Sequence, residues 1–286
     1  MLQNHATLQQ IRFHLLEELR QIYTENESDA MARLIMEHVG YPLSMALRDP
    51  LYIPEPPVSA RIDQILSEMR TGKPIQYALG LTHFCGLPIR VDPSVLIPRP
   101  ETEELVERIK NRARTPPGRI MDLGTGSGCI ALALKHAFPE SEVWGSDISD
   151  DALSMARENG RLNRLNVKWV RFDLLDTQIP ESWEPFDLVI SNPPYVLKSE
   201  RREMAPHITE FEPASALFVE DHDPLVYYRA IISFGSRFLS GKGEIWTEIH
   251  EKMGKETSLL FKEQGFREVS ILKDIHEKER FIHARR

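Results

Sequence analysis

An α/β fold, with a mostly parallel, doubly wound sheet behind an N-terminal bundle of helices, is what this 286-residue sequence predicts. Three observations predict it. Apolar residues in the first quarter of the chain recur at helical spacing. After Pro100, apolar runs of strand length alternate with helical stretches of about 10 to 15 residues. Several of those runs end on a polar residue or a glycine-rich turn, as strands do when their carboxyl ends form a ligand crevice.

The elements follow in order. Leu8, Ile11, Leu15, Leu19 and Ile22 recur at spacings of three and four, as do Ile62, Ile65, Leu66 and Met69, which predicts helices with one apolar face between residues 6 and 71. Between the two sets, the glycine and prolines of EHVGYPLSMALRDPLYIPEPPVSAR divide the region into short helices, with Ser59 the expected N-cap of the last. Residues 1–75 are therefore read as a helical domain. In KPIQYALGLTHFCGLPIRVDPSVLIP, short apolar runs broken by glycine and proline predict a β-hairpin or extended connector, assigned to residues 76–98. From 99 to 286 the chain alternates: RIMDLGTGSG then CIALALKHAF, SEVWGSDIS then DALSMARENGRLN, VKWVRFDLL, FDLVISNPPY, the helical LVYYRAIISFGSRFL, and the strand-like GEIWTEIH. Strands interleaved with helices imply βαβ units and a sheet covered on both faces. A helix over 251–264 and two closing strands, GFREVSILKD and ERFIHARR, complete the pattern.

The totals narrow the function classes. At roughly 150 residues per domain the length favours two domains, and 41% hydrophobic with 27% charged residues excludes a disordered chain. No apolar stretch approaches the roughly 18 residues of a spanning helix. The start, MLQNHATLQQIRFHLLEELR, lacks the apolar core of a signal peptide, so a cytoplasmic protein without membrane association is expected. Cys85 and Cys129 lie far apart, and the ten histidines contain no H-E-x-x-H or H-x-H spacing, so neither a disulfide framework nor a metal is expected. A net charge of −8 argues against a protein that grips nucleic acid through its phosphates; an acidic body suits a basic protein partner instead.

In IMDLGTGSGCIA a strand ends at Asp122, and Gly124, Gly126 and Gly128 open a helix. Glycines there let backbone N–H groups approach a ligand at the helix N-terminus. The spacing G-x-G-x-G differs from the G-x-G-x-x-G that cradles a dinucleotide pyrophosphate. This tighter loop behind an acid resembles the first motif of class I S-adenosylmethionine (SAM) methyltransferases, which are Rossmann-like. Asp147 ends the next strand at about the 20-residue offset where an acid accepts ribose hydroxyls, and Asp173, closing the third strand, is expected beside the adenine.

At the end of the fourth strand, DLVISNPPYVLK carries more prolines than a turn requires. An amide or exocyclic amino nitrogen is a poor nucleophile because its lone pair is delocalised, so placement must do much of the work of methylating it. The Asn192 side-chain oxygen and the Pro193 carbonyl can accept the two N–H bonds of a planar NH2 group, Pro193 and Pro194 add no competing donor, and Tyr195 can cover one face of the amide. This motif is shared with adenine-N6 methyltransferases of DNA and RNA, so by itself it specifies a planar nitrogen and leaves the substrate open.

The wider pattern is more specific. GLPIRVDPSVLIPRPETEELVE, DLGTGSGCIALAL, SNPPYV and EFEPASALF stand in this order behind a helical N-terminal region and together resemble the peptide chain release factor glutamine methyltransferases (the PrmC/HemK family) over essentially the whole chain. The resemblance implies transfer of a methyl group from SAM to the side-chain amide nitrogen (N5) of the glutamine in the Gly-Gly-Gln loop of release factors, with S-adenosyl-L-homocysteine as product. It implies that Gly124, Thr125, Gly126, Ser127, Gly128, Asp147, Asp173, Leu174 and Asn192 bind the cofactor. It further implies that Asn192, Pro193, Pro194 and Tyr195 hold the acceptor, with Asn192, Pro193 and Tyr195 serving catalysis. Phe84 and residues 98–103 are expected close by, Arg99 and Glu101 either there or as a structural ion pair. Leu174 departs from the family, where an aromatic residue often follows the third-strand acid, so an aliphatic wall for adenine is expected. The helical domain is expected to dock the release factor, with no direct role for nucleic acid. A ribosomal-protein glutamine methyltransferase, an adenine-N6 methyltransferase and a non-catalytic SAM-binding scaffold are the alternative readings.

Overall fold

A computed structural model describes residues 5–176 and 183–286, so the first four residues of the expected helical domain lie outside the described residues. Its contacts divide the chain into two compact units, Met1–Gly80 and Leu81–Arg286, where the sequence reading placed divisions at 75 and 98.

In the first unit Thr7 caps α1 (Leu8–Leu19): its Oγ1 accepts the Gln10 N–H at 3.3 Å, while Gln10 Oε1 accepts the Thr7 N–H at 2.9 Å. Two donors left unpaired at the helix end are thereby satisfied reciprocally. Thr24 and Glu27 repeat the arrangement at α2 (Glu25–His38). The short α3 (Leu43–Arg48), then α4 (Pro57–Arg70) and α5 (Ile75–Leu79), follow. Leu8, Ile11, Leu15 and Leu19 join Ile62, Ile65, Leu66 and Met69 in one core, each no more than 1% exposed. Two expectations need correction. Ile22 lies past the end of α1, where the helical period no longer turns it inward, and it is 43% exposed. Ser59 is no cap: α4 begins at Pro57, whose fixed φ suits the first helical position, and Ser59 is buried within the first turn.

The second unit opens with a hairpin of β1 (Leu81–Phe84) and β2 (Leu87–Arg90), paired from Leu81↔Arg90 to Phe84↔Leu87. Then α6 (Pro100–Arg112) leads into the expected alternation. β3 (Arg119–Leu123), α7 (Cys129–Ala137), β4 (Glu142–Asp147), α8 (Asp150–Asn163) and β5 (Lys168–Arg171) come first, then β6 (Phe186–Ser191). A pair of two-residue strands, β7 (Val196–Leu197) and β8 (Phe218–Val219), brackets a 3-10 turn (Lys198–Glu203), α9 (Pro206–Phe211) and α10 (Ala214–Leu217). α11 (Val226–Phe238), β9 (Leu239–Glu248), α12 (Gly254–Glu263), β10 (Ser270–Lys273) and β11 (Glu279–Arg285) close the chain.

Seven strands form one sheet in the order β10-β11-β9-β6-β3-β4-β5. The five from β9 to β5 run parallel, and β11 and β10 add antiparallel at one edge. Chain order runs outward from β3 through β4 and β5 on one side and through β6 and β9 on the other. The reversal therefore falls between β3 and β6, where the carboxyl ends of doubly wound sheets leave a crevice. The core on one face joins Met121, Leu123, Val189 and Ile245 of the strands to Tyr228, Ile231, Phe234 and Phe238 of α11 and to Phe261 of α12.

Candidate active site

The glycine-rich loop is held from below and from both sides. Asp122, fully buried near the end of β3, accepts from Thr125 Oγ1 at 2.6 Å and from the Ala131 N–H at 3.2 Å, and its Oδ1 has no partner. Burial raises this carboxyl to about 7, against those two hydrogen bonds. Gly126 donates its N–H to Asp147 Oδ2 at 2.9 Å, and Asp147 Oδ1 accepts the Ser149 N–H at 3.0 Å. Burial raises the Asp147 carboxyl, while those N–H bonds work to lower it. On the third side the fully buried Asn159 of α8 bonds the Ser127 carbonyl at 2.9 Å and both backbone groups of Arg90 in β2, which ties the loop to the hairpin. Gly128 caps α7 at φ +82°, and a Cβ there would lie 2.8 Å from Trp169 and 3.0 Å from Ala156, so both conformation and space call for glycine.

The Ser191–Tyr195 segment is fixed to the same end of the sheet. Ser191, the last residue of β6, donates its hydroxyl to the Leu123 carbonyl at 2.7 Å, which joins β6 to β3 where the glycine loop begins. Asn192 follows immediately. Its Nδ2 donates to Thr102 Oγ1 at 3.0 Å, and Thr102 in turn donates to Glu248 Oε2 at 2.5 Å. Thr102 and Glu248 are 2% and 1% exposed. Burial raises the Glu248 carboxyl to about 7, against the Thr102 hydrogen bond and the nearby Arg280 guanidinium, which favour its charged form. The Tyr195 hydroxyl approaches Glu248 Oε1 at 3.5 Å, and burial drives its phenol well above the usual range.

One cavity of about 330 Å³ is lined by Ser94 to Leu96, Pro98, Arg99, Thr102, residues 124–127, Asp147 to Ser149, Phe172 to Leu175, Ser191 to Pro194, and Pro213, Ser215, Ala216 and Tyr227. It therefore brings together Gly124, Thr125, Gly126, Ser127, Asp147, Asp173, Leu174, Asn192, Pro193 and Pro194 of the residues singled out in the sequence. Gly128 and Tyr195 are not on its wall: Gly128 works from behind the loop, and Tyr195 turns its ring edge-on to His250 at 6.3 Å. Phe84 is fully buried in the hairpin and does not line it either. Asp173 sits two residues beyond the end of β5, because after the Phe172 N–H bonds the Asp147 carbonyl the chain turns, with Asp173 Oδ1 accepting the Leu175 N–H at 2.9 Å. Arg99 pairs with Glu212 at 2.6 Å instead of with Glu101, and Glu212 also accepts the Ile97 N–H, so this buried acid ties the 97–99 stretch to the segment before α10.

Glu248 escaped the sequence reading, and Thr102 entered it only as part of the 98–103 stretch, with no role of its own. A signal was present: GEIWTEIH puts an acid at the carboxyl end of another parallel strand, as VWGSD does at Asp147. A larger cleft, about 750 Å³, is lined by Arg112, Gly118, Asp187 and Lys242 at the amino ends of the strands. Ligands of doubly wound sheets bind at the carboxyl ends, which makes the smaller cavity the candidate site. Among the described residues no group of three or more His, Cys, Asp or Glu is placed to hold a metal ion, and no helix is long and apolar enough to cross a membrane.

Residues 100–212 match the family model described as Methyltransferase small domain. The release factor glutamine methyltransferase of Flavobacterium psychrophilum is 37% identical over 277 residues, covering 95% of this chain and 96% of that protein. The protein of the same name from Bacteroides thetaiotaomicron is 34% identical over 280 residues, 98% and 100% of the two chains. Among solved structures, a methyltransferase from Pyrococcus furiosus superposes with a TM-score of 0.53 at 18% identity, covering 79% of this chain and 98% of that one. The Thermus thermophilus 16S rRNA N2 G1207 methyltransferase in complex with AdoMet and guanosine gives 0.52 at 17% identity, covering 72% and 49%. At those identities the two structures speak to the fold alone.

Proposed function

The chain belongs to the release factor glutamine methyltransferases, and from that premise we propose that it transfers the methyl group of SAM to the side-chain amide nitrogen, N5, of the glutamine in the Gly-Gly-Gln loop of peptide chain release factors. One observation carries the reading: the glycine-rich loop and the Asn192–Pro194 edge line a single cavity at the reversal point of the sheet.

The residues present fit the cofactor. A Cβ on Gly124 or Gly126 would meet nothing within 4 Å, so the loop leaves open space on its cavity side. Asp147, which already accepts two N–H bonds, keeps lone pairs for ribose hydroxyls, and Leu174 with Ile148 offers an aliphatic wall for adenine beside Asp173. When bound, SAM supplies an electrophilic methyl group and departs as S-adenosyl-L-homocysteine.

The work of the chain itself is placement. Asn192 presents its Oδ1 and Pro193 its carbonyl to the two N–H bonds of the substrate amide, which fixes the nitrogen lone pair along one direction; Pro193 and Pro194 place no N–H there to compete. Holding the nitrogen in attack geometry is worth up to roughly 7 to 11 kcal/mol. No base is required of the chain, because the nitrogen becomes far more acidic on methylation and releases its proton to water.

The helical unit is assigned the docking of the release factor, since a tripeptide loop offers too little surface to select one protein. Its exposed Phe13, Leu47, Leu51 and Ile53 support that role. A cytoplasmic location belongs to the same reading, and the free thiols of Cys85 and Cys129 are in keeping with it. Incubation with labelled SAM, purified release factors and a control DNA tests the proposal: label is expected on the release factor, and label on the DNA would remove it.

A further inference from the structure

We propose that Glu248, acting through Thr102, is a positioning residue that fixes which way the Asn192 amide faces and so makes the acceptor edge of the site a hydrogen-bond acceptor. The inference rests on the reading of Asn192 as the group that holds the substrate amide.

An Asn side chain is nearly symmetric in shape but not in polarity: one end only accepts hydrogen bonds and the other only donates. Presented to a substrate NH2 group, the oxygen holds it and the amino end repels it. The chain must therefore choose between two orientations of equal size. Thr102 alone cannot make the choice, because a hydroxyl both donates and accepts. Glu248 can. An ionised carboxylate only accepts, so the Thr102 proton points to Glu248 Oε2 at 2.5 Å, leaving Thr102 with lone pairs alone toward Asn192. Asn192 must then give its Nδ2 to Thr102, at 3.0 Å, and its Oδ1 is left for a ligand. With the Tyr195 hydroxyl at Oε1, both Glu248 oxygens have a donor. Three separate segments meet here: α6, the exit of β6 and the end of β9. The nearly complete burial of Thr102 and Glu248 keeps water from substituting for either partner.

The same chain of bonds reverses when Glu248 takes a proton. A protonated Glu248 can donate to Thr102, which can then donate to Asn192, and the oxygen of Asn192 turns away from the substrate. The groups facing Glu248 are Thr102 and Glu101 from α6, Tyr195 after β6, Tyr228 from α11 and Arg280 from β11; Arg280 and the Thr102 and Tyr195 hydroxyls favour its charge, while burial and Glu101 oppose it. Its carboxyl is raised to about 7, so the charged, orienting form dominates only above that pH.

The test is the pH profile of kcat on a release factor for the wild type and for Glu248→Gln, Thr102→Val and Thr102→Ser, with SAM affinity measured by calorimetry on each. The wild-type rate is expected to rise through about pH 7. Glu248→Gln and Thr102→Val are expected to lose about tenfold to a hundredfold in kcat at pH 8, the equivalent of one hydrogen bond to a charged group. They should also lose the rise and keep SAM affinity within severalfold, while Thr102→Ser recovers most of what Thr102→Val loses. Wild-type kcat in Thr102→Val, or an unchanged rise in Glu248→Gln, overturns the inference. Because Thr102→Val replaces the hydroxyl by a methyl group of similar size, while Thr102→Ser keeps the hydroxyl and removes the methyl group, the two variants separate hydrogen bonding from packing and decide the matter even if Glu248→Gln fails to fold. Asn192→Ala separates the two levels: if it is inactive while Thr102→Val is normal, only the positioning role falls; if it turns over normally, the clamp itself falls.

Discussion

Asn192 is given one task, to hold a nitrogen still, and removing its side chain isolates that task. In Asn192→Ala the glycine loop and Asp147 keep every hydrogen bond they make, since none of those bonds reaches Asn192. Turnover is expected to fall at least about a hundredfold, the cost of a misplacement of about 1 Å at the reacting atoms, while the SAM dissociation constant changes far less. Calorimetry beside single-turnover rates checks this, and comparable losses in both would mean that Asn192 serves cofactor binding alone. At this scale the sequence was legible wherever a residue's placement depends on near neighbours. The loop glycines, Asp147 and Asn192 each sit in a short motif whose geometry is local. Thr102 and Glu248 stand 90 and 146 residues from the partners they meet, and no spacing rule links residues at that distance. Tyr195 is expected from the sequence to cover one face of the amide. In the structure the chain runs on into β7, paired with β8, and the Tyr195 ring stands beside His250, with its hydroxyl toward Glu248.

Among the elements, the antiparallel edge of the sheet carries a charge cluster that helps hold it. Glu244 of β9 pairs in register with Arg285 of β11; it accepts from Arg285 Nε at 2.8 Å, from Trp246 Nε1 at 3.2 Å, and lies 2.9 Å from Nε2 of the buried His283. Burial opposes its charge, yet the hydrogen bonds from His283 and Arg285 hold the carboxyl down at about 2, against an ordinary 4.5. A carboxyl depressed in the folded state stabilises it fully above the unfolded value and loses that contribution as pH falls toward the folded one. Glu244→Gln is therefore expected to be less stable than wild type at pH 7, with the gap closing between about pH 4.5 and 2. Urea midpoints across that range measure it, and a gap constant with pH would show that the charge contributes nothing. The alternation of strands and helices that builds this sheet was readable from periodicity, as were the two closing strands. Helix ends were less so. Ser59 resembled a cap, but the Pro56–Pro57 pair starts α4 earlier, and IQYAL, apolar enough for a connector strand, coils into α5 between Pro74 and Gly80.

For the molecule as a whole, the two units divide the labour proposed for them. The candidate cavity is lined entirely from Leu81–Arg286, while the helical unit has a core of its own and presents apolar side chains outward. Leu51, 72% exposed, is the most accessible of these. Leu51→Glu is expected to weaken methylation of an intact release factor severalfold while leaving a short glutamine peptide methylated at the wild-type rate; equal effects on both substrates would remove the docking role. The fold class, and the meeting of the glycine-rich loop with the Asn192–Pro194 segment in one cavity, could be read from the sequence because each segment is written in contiguous residues. Which surface receives the partner could not, since exposed apolar residues carry no period that separates them from a core. The central claim is the identity of the methylated atom, and mass spectrometric mapping of a release factor incubated with SAM and this protein reads it directly. The account predicts one added methyl group, on the glutamine of the Gly-Gly-Gln loop. A methyl group on any other residue, or an unmodified release factor beside a methylated adenine in control DNA, would contradict it.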